Sequence, residues 1–287
     1  MIASVTFRNF KALRSTSVAL EPFNLVVGPN GSGKTSLIQA VLLLRTLAKL
    51  PVTVTARTAP PFESPEIVFR FLPPLAGVEV ELGCSNDFVC DQLRVKSPSP
   101  EIWDRARDAI LRIRSYLFDH GAMAEPALIA EGGELSENVG NLAAVLRRRE
   151  RTAFERLEAE FCRLLPEFSG LGFREVPVGR VQLVAELCDQ KGQISAENLS
   201  QGTLYVLATL ALAFDPVPPS MICIEEIDRG IHPRLLREMR DALYRLSHPE
   251  SFDEKRAAVQ IVATTHSPYL LDLFKDCLLY TSPSPRD

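Results

Sequence analysis

Two adjacent glutamates, Glu225 and Glu226, end the apolar run MICI, and this placement suggests chemistry. Neighbouring carboxylates repel each other unless a cation or a proton shares their charge. A hard divalent cation such as Mg²⁺ binds carboxylate oxygens, and a second carboxylate can polarise a water molecule that attacks a phosphate. The pair equally fits a solvated acidic turn after a strand, so the phosphate chemistry requires a phosphate site elsewhere in the chain.

Such a site is predicted far upstream, where GPNGSGKTS matches the phosphate-loop pattern GxxxxGK[ST]. Its glycines let backbone N–H groups wrap a phosphate without Cβ clashes. An apolar strand precedes the loop and a helical pattern follows it, so the positive end of the helix faces the same anion. This context favours a phosphate loop over a glycine-rich turn that fits by chance. The predicted nucleotide-binding residues are Gly28, Pro29, Asn30, Gly31, Ser32, Gly33, Lys34, Thr35 and Ser36. Lys34 is expected to reach the β- and γ-phosphates, and Thr35 to bind Mg²⁺.

Two further segments have the residue types that bind anions. NLSQGT precedes an apolar helix, which Ser200 can cap, while Gly202 permits close backbone approach. This presents a second anion-binding helix terminus, although the segment alone also reads as an ordinary helix start. ATTHSPYLLD places His266 at the end of the last apolar strand, a position that a structural or surface histidine also fills.

The elements that must position these residues follow from hydrophobic periodicity. Strands are predicted over 2–10, 23–27, 66–72, 77–83, 88–96, 180–189, 221–224 and 259–265, and helices over 34–49, 101–118, 141–165, 203–214 and 234–246. This order indicates an α/β fold with a split P-loop NTPase core. The predicted domains are the core over 1–50 and 198–276, an antiparallel β subdomain over 51–100, a helical insert over 101–165 and a β return over 166–197.

Composition excludes several classes of protein. A net charge of −4 argues against bulk electrostatic coating of nucleic acid, and in the helical insert twelve acidic residues outnumber ten arginines. The arginine-rich stretch 147–151 is therefore expected to be a solvated helix face. No apolar run reaches the roughly 18 residues of a membrane span, and no secretory signal opens the chain. None of the six cysteines forms a CxxC pair, so we expect reduced thiols in a cytoplasmic protein without zinc.

The four segments occur in the order phosphate loop, LSQGT, apolar-EE and apolar-THSP, and this order resembles the ABC-type ATPase heads of the SMC-like, RecF-like and OLD-type group. The chain looks closest to their compact bacterial relatives of the AAA family. The resemblance covers residues 1–276 and includes VTFRNFKAL near the start, whose counterpart in the family lies near the nucleotide, and ELSENVGNLAAVLRR in the middle. It implies an ABC/RecF-like core, the ligands ATP and Mg²⁺, and a homodimer that forms on ATP binding.

By this resemblance, Glu225 corresponds to the Walker B acid that binds Mg²⁺, and Glu226 to the catalytic base. His266 corresponds to the switch histidine that senses the γ-phosphate. Ser200, Gln201 and Gly202 correspond to the signature that closes on ATP held by a second subunit. The loop 228–232 then lies at the dimer interface.

The chain departs from the family pattern in three places. The Walker B acid is usually Asp, and the longer Glu225 stands there. The signature reads LSQGT instead of the transporter form LSGGQ, which argues against a transporter subunit. The family's metal-sensing glutamine has no placed counterpart, because Gln92 ends a β-like segment and Gln39 lies inside the first predicted helix.

Three functions remain open from the sequence. The leading one is an Mg²⁺-dependent ATPase that works as an ATP-sandwiched dimer in DNA maintenance or anti-phage defence, with DNA or an effector protein as partner and no membrane. The second is a non-catalytic ATP-gated clamp or scaffold, which Glu225 in place of Asp admits. The third is the head of an OLD-type nuclease whose catalytic domain lies beyond Asp276. Residues 277–287 resemble a sequencing adapter translated in frame, so we leave them out of the fold and expect the native chain to continue differently after Asp276.

Overall fold

A computed structural model describes residues 1–51, 64–86, 89–188, 192–266, 270 and 278–281. Within them the chain forms a mixed α/β structure. Its strands are β1 (Ile2–Phe10), β2 (Leu13–Ala19), β3 (Phe23–Val27), β4 (Glu66–Phe71), β5 (Glu79–Cys84), β6 (Cys90–Lys96), β7 (Ile113–Tyr116), β8 (Ala127–Leu128), β9 (Phe168–Val176), β10 (Arg180–Leu187), β11 (Gln193–Ser195), β12 (Met221–Ile224), β13 (Gln260–Thr265) and β14 (Leu278–Thr281). Its helices are α1 (Lys34–Leu47), α2 (Pro100–Leu111), α3 (His120–Ala124), α4 (Leu142–Arg148), α5 (Arg151–Leu164), α6 (Gln201–Ala213) and α7 (Pro233–Ser247).

The chain divides into two compact units. The first takes in Met1–Ser115, Pro219–Ile224 and Ser247–Asp287, and the second Tyr116–Pro218 and Glu225–Leu246. The finer division drawn from the sequence stays a prediction. None of the helices in the described part of the chain is long and apolar enough to cross a bilayer.

The first unit contains a five-stranded sheet in the order β14-β3-β13-β12-β7. The β3, β13 and β12 strands run parallel and are buried along almost their whole length, because helices and loops cover both faces of a parallel sheet. Register pairs Val27 with Thr265 and Ile224 with Ala263, so the carboxyl ends of these strands meet at one edge. From the sequence, residues 277–287 were expected to lie outside the fold. Part of this segment nevertheless forms β14, which pairs with the outer edge of β3, because an open strand edge accepts further backbone hydrogen bonds.

A second, antiparallel sheet of the same unit has the order β2-β1-β4-β5-β6. It packs with α1 and α2 around a single apolar core that includes Phe7, Phe69 and Leu82. The Gln260 side chain ties this sheet to β13, since its Oε1 accepts a hydrogen bond from Ile2 N and its Nε2 donates one to Ile2 O, both at 2.8 Å.

One cysteine pair corrects the expectation of reduced thiols. Cys84 and Cys90 face each other across the antiparallel β5–β6 pair and form a disulfide. The sequence spacing of six residues does not predict this bond, because only the pairing of the two strands brings the sulfurs together. Among the described residues, Cys162 and Cys188 are outside any disulfide.

The second unit is built on the β9–β10 hairpin, which β11 and β8 extend. The α5 helix packs against both β9 and α6. The α6 helix is buried at every position from Thr203 to Ala213, so it forms the centre of this unit.

Two predicted helices are wrong in their extent. The helix predicted over 101–118 ends at Leu111, because 113–116 forms β7 at the edge of the parallel sheet. The helix predicted over 141–165 is two helices, α4 and α5. Arg149 between them has extended backbone, and its Nη2 donates to Ala211 O at 2.9 Å near the end of α6. Burial lowers the pKa of Arg149, against the attraction of Asp215.

Candidate functional site

The phosphate loop joins β3 to α1, as predicted, and depends on two glycines in left-handed backbone. Gly31 has φ 78° and Gly33 has φ 97°, values that side chains with a Cβ rarely adopt. A methyl group on Gly33 would lie 2.7 Å from Leu13 Cδ2, so the loop also needs this glycine for its close packing against β2. Glycine at this position therefore has two independent physical reasons.

The start of α1 fits an anion. Gly33 is its N-cap and supplies no side-chain hydrogen bond, and the first turn contains no acidic residue. The first N–H groups of a helix attract negative charge when no side-chain cap satisfies them. Lys34 is 7% exposed, and its Nζ donates to Gly28 O at 2.7 Å and to Pro29 O at 2.8 Å. The ammonium group is thereby held over the loop, whereas Thr35 is exposed.

His266 lies at the same edge of the sheet as the phosphate loop. It follows Thr265, the last residue of β13, and Thr265 pairs with Val27, which immediately precedes Gly28. The histidine is exposed and so is accessible to a ligand. The structure therefore brings together two segments that are more than two hundred residues apart in sequence.

The β1–β2 hairpin, which contains the VTFRNFKAL segment, lies beside this loop, and its individual contacts were not predicted from the sequence. Asn9 and Lys11 both have φ 52°, and the Lys11 ammonium donates to Gln39 Oε1 on α1 and lies 5.5 Å from the centre of the Phe10 ring. The positive φ at Asn9 is the local signal, because Asn tolerates left-handed backbone better than most residues.

The carboxylate pair follows β12 directly. Glu225 is half-buried, and its N–H donates to Tyr116 O at 3.0 Å. Glu226 has a left-handed φ of 51°, its side chain is 43% exposed, and Arg229 Nη1 lies 3.5 Å from its Oε2. A non-glycine residue in this backbone region is uncommon and recurs at functional sites. Pro233 is the first residue of α7, one position before the start predicted from the sequence.

The LSQGT segment begins α6. Ser200 is the N-cap, as predicted, and its Oγ accepts a hydrogen bond from Thr203 N at 3.1 Å and bonds Thr203 Oγ1 at 2.8 Å. Gln201 and Arg229 line one cavity of about 430 Å³ in the second unit, together with His120 and Tyr205. The start of α6 and the loop after the carboxylate pair thus form parts of one wall.

The two glutamines considered for the metal-sensing position lie on β6 and α1. Gln92 is on β6, where it faces solvent and pairs with Gly83, and Gln39 is on α1 in contact with Lys11. The position of that glutamine in the family therefore has no assigned residue in this chain.

No group of three or more His, Cys, Asp or Glu in the described residues could hold a metal ion by itself. Thr35 and Glu225 are hydroxyl and carboxylate oxygen donors, which is the kind of ligand that Mg²⁺ takes alongside substrate phosphates.

Solved structures show the fold. The chain is similar to the SMC head domain from Thermotoga maritima, with a TM-score of 0.54 and 14% identity over 98% of this chain and 94% of that one. A nucleotide-free ATP-binding cassette from an ABC transporter matches with a TM-score of 0.44 and 15% identity over 98% and 88% of the two chains. The α/β fold predicted from the sequence, with a P-loop NTPase core like that of the SMC head domain, is confirmed.

Sequence comparison supplies the family. None of the curated proteins matches this chain. The model described as "AAA ATPase domain" matches residues 1–91, which include the phosphate loop. The model described as "AAA domain, putative AbiEii toxin, Type IV TA system" matches residues 104–272, which is more than half of the chain and includes LSQGT, both glutamates and His266. The chain therefore belongs to this AAA family of ATPases.

Proposed function

We propose that this chain hydrolyses ATP to ADP and inorganic phosphate in an Mg²⁺-dependent reaction, as a homodimer that closes around two ATP molecules. The observation that carries the proposal is the start of α1, where the uncapped helix terminus, the left-handed glycines and the held Lys34 ammonium form a cradle for phosphates. The family of ATPases to which the chain belongs supports nucleotide use.

Each residue has a distinct role in the proposed reaction. Backbone N–H groups of the phosphate loop and Lys34 hold the β- and γ-phosphates, and His266 at the same sheet edge donates a hydrogen bond to the γ-phosphate. Glu226 orients a water molecule and accepts its proton while the water oxygen bonds to the γ-phosphorus and the bond to the ADP oxygen breaks. Mg²⁺, held by Thr35 and Glu225, would neutralise the charge on the phosphate oxygens.

The dimer would complete each site with Ser200, Gln201 and Gly202 of the second subunit. ATP binding would then close the two heads and hydrolysis would release them, which can drive an effector protein or DNA. The family description, a putative toxin of a type IV toxin–antitoxin system, favours an effector protein over DNA as the partner.

The test is the Glu226→Gln variant, which keeps the size of the side chain and removes its basicity. We expect turnover to fall by roughly a hundredfold or more while ATP still binds, and the variant to elute as a dimer with ATP in size-exclusion chromatography. Glu250→Gln, which alters an exposed glutamate outside every motif, is the matched control. Unchanged turnover in Glu226→Gln would remove Glu226 as the base, and a monomer at saturating ATP would refute the sandwich.

A non-catalytic ATP-gated clamp is the second candidate. It is favoured by the ion pair that engages Glu226 with Arg229 and by Glu225 at the position where the family usually has Asp. Parent protein that binds ATP and dimerises but shows no phosphate release above the Lys34→Ala background would select this function.

A further inference from the structure

In the second unit the carbonyl oxygen of Gly230 lies beside Gly202. A methyl group on Gly202 would lie 3.1 Å from Gly230 O. Gly230 has φ +68°, and a methyl group on it would lie 2.5 Å from Gln201 Cδ and 2.6 Å from Gln201 Oε1. A methyl group on Gly202 would therefore need a small shift of the Gly230 backbone, and one on Gly230 would displace the Gln201 side chain that packs over it.

The loop that contains Gly230 is closed on itself. Arg229 N donates to Glu226 O at 2.9 Å, Ile231 N donates to Asp228 O at 3.2 Å, and the Arg229 guanidinium reaches the Glu226 carboxylate. Glu226 starts this pair of turns in left-handed backbone. Short, hydrogen-bonded turns therefore connect Gly230 to Glu226.

The other side of the contact is fixed. The first turn of α6 is capped by Ser200, and the helix is buried from Thr203 onward. Buried, close-packed helices transmit strain and do not yield to it. When the contact is crowded, the helix backbone keeps its place, and the displacement falls on the Gln201 side chain and on the loop.

We propose that the Gly202–Gly230 contact, with Gln201 packed over Gly230, positions the Glu226 loop within the same chain and thereby sets the rate of hydrolysis. Gln201 and Gly230 are positioning residues in this view, and the signature segment acts inside its own subunit in addition to any action on a second one. The inference rests on the proposed ATPase function. It concerns turnover and leaves ATP affinity to the phosphate loop.

A double-mutant cycle tests the contact in the full-length chain. The variants are Gly230→Ala, Gln201→Ala and the double variant, with kcat and KM for ATP measured where circular dichroism shows each to be folded. Gly179→Ala is the matched control, because Gly179 has φ +65° and nothing within 4 Å of an added methyl group. It therefore reproduces the backbone strain of Gly230→Ala without the crowding.

We expect Gly230→Ala to lower kcat by about tenfold or more with KM within about twofold of the parent, and Gly179→Ala to change neither. In the Gln201→Ala background the same Gly230→Ala change is expected to cost less than about threefold, because the crowded atoms are gone. An equal cost of Gly230→Ala in both backgrounds, or a matching loss in Gly179→Ala, would overturn the inference while the parent remains an ATPase. A parent without turnover refutes the proposed function, and this inference with it.

Discussion

Thr265 and Val27 pair in register at the ends of two adjacent parallel strands, so His266 and Gly28 leave the sheet side by side. The carboxyl ends of parallel strands are where α/β proteins bind ligands. Strand pairing, and not nearness in sequence, therefore places this histidine next to the phosphate loop. The β12 strand ends near the same edge, since its last residue, Ile224, pairs with Ala263, two residues before Thr265.

His266→Ala is expected to lower kcat for ATP hydrolysis by about tenfold or more and to change KM by less than about threefold, because a hydrogen bond to the γ-phosphate strengthens in the transition state. Steady-state phosphate release measures both constants. His248→Ala is the control, since that imidazole bonds to Ser247 outside the motifs. Equal kcat in His266→Ala and parent would remove the histidine from the chemistry.

Gly33→Ala is expected to lower the free energy of unfolding by about 2–4 kcal/mol, because strained backbone adds to the displacement of the buried Leu13 side chain. Gly31→Ala carries left-handed strain alone, with open space around the added methyl group, and is expected to cost about 1 kcal/mol. Urea denaturation of both variants gives the comparison. The close packing of Leu13 on the loop would be contradicted by equal losses in the two variants.

Two substitutions of Ser200 test its role as a helix cap separately from its role near the phosphates. Ser200→Ala removes the cap on α6 and is expected to cost about 1 kcal/mol of stability, whereas Ser200→Asp keeps a good cap and is expected to unfold close to the parent midpoint. The added carboxylate would repel ATP phosphates, so Ser200→Asp is expected to lose turnover despite its stability. Thermal unfolding and phosphate release, measured on both variants, test the two halves; an active Ser200→Asp would place Ser200 away from the nucleotide.

We predict that ion pairs on the antiparallel sheet make the stability of the fold sensitive to acid. Burial alone would raise the pKa of Glu79, but hydrogen bonds and charge from Lys96 and Arg70 outweigh it and hold that pKa below its usual value. Lys96 Nζ lies 2.9 Å from Glu79 and 2.5 Å from Glu81, and its own pKa is raised. A carboxyl with a lowered folded-state pKa stabilises the fold above its unfolded pKa of about 4.3, and this stabilisation disappears as pH falls through the folded value.

Lys96→Met is therefore expected to cost about 1 kcal/mol at pH 7 and to flatten the loss of stability as pH falls below about 4. Urea denaturation at a series of pH values measures the slope. Lys49→Met, which alters an exposed lysine, serves as control. Parallel pH profiles for Lys96→Met and the parent would show that the pair does not govern acid stability.

Local patterns predict the elements that are buried on both faces. FNLVV, MICI and QIVATT are short apolar runs bounded by turn-forming residues, and each is a strand of the parallel sheet, as expected. Periodicity fails at 101–118, because the apolar spacing of Ile110 and Ile113 continues a helix pattern through Leu111. Only the place of β7 in the sheet decides that the helix ends there.

The candidate site also contains some features that the sequence predicts and others that only the fold explains. The phosphate loop and the Ser200 cap depend on residues within a few positions of each other, so sequence spacing predicts them. The meeting of Gly202 with Gly230 and of Leu13 with Gly33 depends on pairings across the fold, which no local pattern contains. Arg149 shows the same limit, since its extended backbone and its bond to Ala211 O interrupt a sequence with unbroken helical spacing.

The first strand is anchored at both ends by glutamine amides. The Gln260 side chain hydrogen-bonds to the backbone of Ile2 at one end, and the Gln39 side chain accepts a hydrogen bond from Lys11 just past the other end. Nine residues at about 3.3 Å each make β1 a spacer of about 30 Å with fixed ends. Insertion or deletion of one residue within it would turn alternate side chains to the wrong face and change the distance between its two anchors. The length of β1 thus acts as a ruler that sets the position of the hairpin tip beside the phosphate loop.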